Sequence, residues 1–178
     1  MHRAREAGYS LIELVVVVAV VAILAAVAFP NFRDVLRSNR VGSASNEMVA
    51  SLSLARVEAL RSPGGAGLCA SANGTTCGSD WNAGWMVWVD TNGNGDPDLG
   101  ANPERVLKFV QGRDTLEVTA DGGVDTLLFD RRGRVRGSTG ATITISPKDE
   151  CPAGLDLVRE LTMTAAGQVH VEKEACGS

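Results

Sequence analysis

The sequence predicts an α+β protein: one long N-terminal helix, apolar in its first half and amphipathic in its second, packed on a β-rich antiparallel head. Three observations predict it. Residues Leu11 to Phe29 form an apolar run broken by a single charge, Glu13. Val41, Ala44, Met48, Leu52, Ala55 and Ala59 then recur at spacings of three and four, which is one face of a helix. Beyond residue 63 the chain changes to short stretches rich in branched and aromatic residues. A helix layered on antiparallel sheet is an α+β architecture.

The elements follow in order. Residues 1–8 form a short leader with basic groups at His2, Arg3 and Arg5, ending at Gly8. The apolar run after it has the length of a membrane span, and residues 9–30 are assigned to it. A secretory signal has a shorter apolar core followed by a cleavage site. Here the only cleavage-like feature, Gly8-Tyr9, precedes the run, so processing would leave the helix on the mature chain. The basic flank places the N-terminus in the cytoplasm and the remainder outside. Glu13 is costly so close to the start of a span and reads as functional.

Residues 31–62 continue the helix, with a kink expected at Pro30, which removes a backbone donor and crowds the preceding turn. Arg33, Arg37, Arg40, Glu47, Glu58 and Arg61 fall mostly off the apolar face, and Ser62-Pro63-Gly64-Gly65 ends the helix. In the head, residues 63–178, strands are expected over Gly84–Val89, Val106–Val110, Leu116–Thr119, Val124–Phe129, Thr142–Ile145, Leu157–Met163 and Gln168–Val171. Turn residues separate them.

Composition bounds the function. The formal net charge is −4, and loss of Arg3, Arg5 and Glu6 with the leader makes it −5. Global charge therefore does not favour nucleic acid, and such binding needs a local patch. Cys69, Cys77, Cys151 and Cys176 lie in the outside portion, where an even count implies disulfides. Three pairings are possible. Cys69–Cys77 with Cys151–Cys176 is favoured, because each pair brackets a locally closable loop. Zinc is not expected: no CxxC spacing occurs, and after processing His170 is the only histidine. His170 lies between valines, as a strand histidine does, and no motif pairs the carboxylates. No catalytic residue, metal or cofactor is assigned, and the chain is not read as an enzyme.

Leader, Gly8, Tyr9, Ser-Leu-Ile-Glu and a long apolar helix together resemble the type IV pilin class, which includes type II secretion pseudopilins. The stretch LARVEALRS (residues 54–62), a cysteine strand and GWMVWVDTNGNGD (residues 84–96) are similar to the GspH/FimT family of minor pilins and pseudopilins. This resemblance implies a type IV pilin fold, with a β-rich periplasmic or extracellular head. It implies that a prepilin peptidase cuts after Gly8, that the new Tyr9 terminus is methylated, and that Glu13 meets a neighbouring subunit's Tyr9 amine in a fibre of pilin subunits. It also implies storage in the bacterial inner membrane before assembly.

Two loops carry further readings. Asp90-Thr91-Asn92-Gly93-Asn94-Gly95-Asp96 matches the first half of an EF-hand loop, but the twelfth position is Ala101 and no flanking helices are expected. A turn between strands explains the same residues. Arg131-Arg132-Gly133-Arg134-Val135-Arg136 is the densest positive run. Asp130 and Gly133 suit a type I turn, which makes a solvated hairpin tip the plain reading. If a return strand starts at Gly133, Arg134 and Arg136 share one side, roughly 6.6 Å apart. Arg131, Arg132, Arg134 and Arg136 would then hold a phosphate backbone without reading bases. Gly133-Arg134-Val135-Arg136 also resembles the GRxR motif of DNA-binding FimT proteins of natural transformation. Trp81, Trp85 and Trp88 offer base-stacking surfaces, although Trp85 and Trp88 lie in a strand that suits a core. The leading expectation is a DNA-binding minor pilin. The alternative is a structural minor pilin or secretion pseudopilin that primes fibre assembly without binding DNA.

Overall fold

The computed structural model describes residues 10–100, 104–137, 140–149 and 151–177; side chains at 27, 28, 30 and 31 fall outside the description. The leader, Gly8 and Tyr9 also lie outside the described residues. Helix α1 spans Leu11–Ala59, and its assignment runs through Pro30 without a break. The chain divides into two compact units, Met1–Arg37 and Ser38–Ser178, with the boundary inside α1. The second half of the helix is thus part of the head.

In the first unit the apolar side chains from Leu11 to Leu24 are exposed, and Glu13 sits exposed in the first turn. An acidic group there complements the helix dipole. Arg37 donates to Asp34 at 2.9 Å, and the Arg33 guanidinium lies 5.8 Å from the Phe29 ring centre. Among the described residues no helix is long and apolar enough to cross a membrane. The span over residues 9–30 is a reading of the sequence alone.

In the second unit all six periodic positions, Val41, Ala44, Met48, Leu52, Ala55 and Ala59, are buried at 2% exposure or less. They pack on two four-stranded antiparallel sheets. Strands β1 (Ala66–Ala70), β2 (Gly84–Val89), β3 (Val106–Gln111) and β5 (Thr126–Phe129) form the first, in the order β3-β2-β1-β5. Strands β4 (Leu116–Ala120), β6 (Gly140–Pro147), β7 (Val158–Thr164) and β8 (Val169–Glu174) form the second, in the order β4-β6-β7-β8.

The first sheet is covered on both faces, which explains its continuous apolar strands. Strand neighbours point to opposite sides. Leu68, Trp85, Val87, Leu127 and Phe129 join the core that contains α1. Cys69, Met86 and Trp88 form a second cluster with Cys77, Val106 and Leu128. The second sheet has one buried face. Ala141, Ile143, Ile145, Leu161 and Met163 turn inward, and the threonines between them are half-buried.

Most expected boundaries shift by one to three residues, and two of these shifts have a visible cause. Strand β5 begins at Thr126, not Val124, because Asp121–Gly123 forms a tight turn and the Val124 carbonyl accepts the Trp81 indole N–H at 2.9 Å. The helix ends at Ala59 rather than residue 62. The Ser62 hydroxyl instead donates to the Asp90 carbonyl at 2.8 Å and ties the helix end to the loop after β2.

Both bridges of the favoured cysteine pairing are formed. Cys69–Cys77 closes at 2.05 Å and Cys151–Cys176 at 1.94 Å. The first ties β1 to the loop that follows it. The second joins the loop before β7 to the segment after β8.

Candidate phosphate-binding arginine tip

The tip begins where β5 ends. Phe129 faces Val135 in an antiparallel bridge, so the chain reverses over Asp130-Arg131-Arg132-Gly133. The Gly133 N–H donates to the Asp130 carbonyl at 2.8 Å, closing the turn. Gly133 sits at φ +71°, a left-handed conformation that glycine accepts without a Cβ clash. The expected return strand reduces to this single bridge. Val135 is instead buried, and its N–H donates to the Ala165 carbonyl in the β7–β8 turn at 3.1 Å.

Asp130 organises the tip with both of its oxygens. Oδ1 accepts the Arg132 N–H at 2.8 Å and the Arg134 N–H at 3.0 Å. Oδ2 accepts Arg134 Nε at 3.2 Å and Nη2 at 3.0 Å, a forked pair. The Arg134 backbone N–H, with the Arg132 N–H and the Arg134 guanidinium, holds the Asp130 carboxyl below its ordinary value.

The four arginines do not share one role. Arg131 and Arg132 are exposed, and their side chains have no hydrogen-bond or ion-pair partner among the described residues. Arg134 is forked onto Asp130. Arg136 is a structural clamp: its Nη2 donates to the Gly64 carbonyl at 2.5 Å and Nη1 to the Gly93 carbonyl at 3.1 Å. Its Nη1 also lies 3.7 Å from Asp90 Oδ2. Arg134 and Arg136, expected to share one side, thus engage different partners. The four still line one shallow groove of about 270 Å³, together with Pro63, Gly64 and Asp130. Gly64 permits the close approach, since a Cβ there would meet Gly93 N at 2.5 Å.

Another arginine, with no sequence signal, lies behind the tip. A Cβ at Gly133 would stand 3.1 Å from Arg56 Nε, and one at Gly167 would stand 3.2 Å from it. Arg56 is on α1, so only the docking of helix on sheet brings it here.

The Asp90 loop is knitted by its own groups. Asp90 has no solvent exposure. Its Oδ1 accepts the Gly93 N–H at 2.6 Å, and Oδ2 accepts the Gly95 N–H at 3.1 Å. Buried Glu104 accepts the Thr91 and Asp98 N–H groups at 3.1 Å and 2.8 Å. These are the bonds of a closed turn. Ala101 lies outside the described residues.

The three tryptophans do not present stacking surfaces. Trp81, Trp85 and Trp88 are 4%, 3% and 0% exposed, and Trp85 Nε1 donates to Ser51 Oγ on α1 at 3.1 Å. His170 is exposed on β8, opposite Thr162.

A long N-terminal helix, its second half docked on two antiparallel sheets, defines a type IV pilin-like subunit. Residues 44–167 match the family model described as type II transport protein GspH, and residues 3–29 match the prokaryotic N-terminal methylation motif. The chain belongs to the GspH family. It is similar to the type IV minor pilin FimU of Pseudomonas aeruginosa in two crystal forms. The TM-scores are 0.54 and 0.56 at 25% identity, over 74% and 75% of this chain and 91% and 89% of FimU. The minor pseudopilin EpsH from the type 2 secretion system of Vibrio cholerae matches at TM-score 0.48 and 17% identity, over 78% of this chain and 98% of EpsH. No curated protein matches by sequence.

Proposed function

We propose that this chain is a minor pilin that enters a fibre through its N-terminal helix and holds DNA by its phosphates at the arginine tip, for uptake in natural transformation. In this reading a prepilin peptidase cuts between Gly8 and Tyr9, and Glu13 pairs with a neighbouring Tyr9 amine. The subunit waits in the inner membrane with its N-terminus cytoplasmic and its head outside. No catalysis is involved.

One observation carries the DNA reading: the exposed guanidinium groups of Arg131 and Arg132, without a partner among the described residues, stand at one groove with Arg134. Planar five-donor groups suit phosphate oxygens. No tryptophan is available to stack a base, so binding is to the backbone and tolerant of sequence. The same geometry supplies the second reading. Arg136 is bound to Gly64, Gly93 and Asp90, so that part of the GRxR sequence holds the head together, which favours the reading as a structural minor pilin or pseudopilin that does not bind DNA.

The test is fluorescence anisotropy of a labelled duplex against the full chain in neutral detergent, titrated with salt. Three phosphate contacts give a log–log slope of roughly −2.7. Absence of binding at low salt would sink the DNA reading and leave the structural one.

A further inference from the structure

This inference rests on the DNA reading above. Asp130 divides its oxygens between two tasks. Oδ1 holds the turn through the Arg132 and Arg134 N–H groups, and Oδ2 occupies the Arg134 fork. A phosphate oxygen can accept from the same Nε and Nη2 donors that Oδ2 occupies. The Arg134 and Asp130 side chains are 55% and 28% exposed, and an ion pair so placed is weak and screened. A doubly contacting phosphate can take the fork only by displacing Oδ2.

We propose that Asp130 is an internal competitor for phosphate: it occupies the Arg134 fork in the free protein and so limits how tightly the tip holds DNA. Arg131 and Arg132 make the first contacts, because nothing in the described chain holds their side chains. Arg134 joins after its fork opens. The carboxylate remains beside the bound backbone and repels it, which keeps the complex weak and quick to dissociate.

Asp130→Asn separates the two tasks. The amide oxygen still accepts the turn N–H groups, while the amide nitrogen cannot accept from Arg134. The experiment is the salt-titrated anisotropy of a labelled duplex with the full chain in neutral detergent. The variants are wild type, Asp130→Asn, Arg134→Gln and the double variant. Hydrogen exchange at the Arg132 and Arg134 amides checks that the turn persists. Asp130→Asn should bind about fivefold tighter near 0.1 M salt with a slope still near three contacts, since Arg134 already makes one of them in wild type. In the Arg134→Gln background the same change should gain less than about half of that factor. Three results would overturn the proposal. One is unchanged or weaker binding by Asp130→Asn with an intact turn. Another is an equal gain with and without Arg134, since only a general charge effect would then be present. The last is failure of wild type and Asp130→Asn alike to bind at low salt, which removes the DNA reading as well. If wild type binds and Asp130→Asn gains nothing, the DNA reading stands and the competitor role alone falls.

Discussion

The Arg136 guanidinium stands 3.7 Å from the carboxylate of Asp90, a group with no exposure to solvent. The same guanidinium donates to the carbonyls of Gly64 and Gly93. One side chain thus joins the end of the helix, the loop after β2 and the tip after β5. A buried carboxylate that loses its cation keeps a desolvation cost with less to offset it. Arg136→Gln should therefore destabilise the head by about 2 kcal/mol, lowering the melting temperature by roughly 5 °C. Thermal unfolding of the full chain in neutral detergent checks this, and Arg134→Gln is the comparison. Equal melting temperatures for the two variants would mean that the clamp contributes nothing.

The tip arginines should differ in what they do for DNA. Arg131→Gln, Arg132→Gln and Arg134→Gln should each weaken duplex binding and flatten the salt slope by about one unit, with stability within about ±0.5 kcal/mol. Arg33→Gln, Arg37→Gln and Arg40→Gln should leave affinity unaltered. Anisotropy titrations at several salt concentrations read both quantities. A wild-type slope in the triple tip variant would make the tip only a solvated turn.

Asp130 makes a prediction about acid. Its carboxyl is held below the ordinary value of 3.8, first by the Arg134 backbone N–H. A lowered folded-state value contributes stability that is fully present above 3.8 and is lost as pH falls through the folded-state value. Exchange protection of the Arg132 and Arg134 amides, corrected for intrinsic rates, should be flat from about pH 7 to about pH 5 and weaken only below the ordinary carboxylate range, where a neutral acceptor replaces the charged one. Loss of protection near neutral pH would show that the carboxylate does not hold the turn.

The two disulfides should contribute unequally. Cys151–Cys176 closes a sequence separation of 25 and Cys69–Cys77 one of 8. Chain entropy then assigns about 3.5 kcal/mol to the first and about 2.5 kcal/mol to the second. Paired Cys→Ser replacements compared by denaturant unfolding give the order. A larger loss from the shorter loop would mean that burial of the Cys69 cluster, not loop closure, dominates.

Assembly has its own test. Glu13→Ala should leave membrane insertion intact and reduce incorporation into fibres, read by sedimentation of sheared fibres and immunoblotting. Gly8→Ile should block leader removal, which a size shift on a gel reports. Normal fibre incorporation of Glu13→Ala would remove the proposed pairing with Tyr9.

Local pattern made the helix and most strands legible. The buried positions from Val41 to Ala59 follow from a period near 3.6, and Gly84–Val89 follows from an unbroken apolar run bounded by turn residues. The cysteine pairing follows from short loops that close easily. These are properties of neighbours in the chain, so sequence alone determined them. It also determined the turn at Asp130-Gly133, because residue type and φ preference act within four positions.

What each arginine of the tip does was decided only by tertiary structure. Arg134 and Arg136 are two residues apart and chemically identical, yet one forks onto its neighbour Asp130 and the other clamps Gly64, Gly93 and Asp90. Arg56 joins the tip from α1, and the three tryptophans are consumed by the two cores rather than left to stack bases. A guanidinium takes the acceptors that the packed fold brings within reach. Those acceptors come from distant segments, and no local pattern encodes their distance.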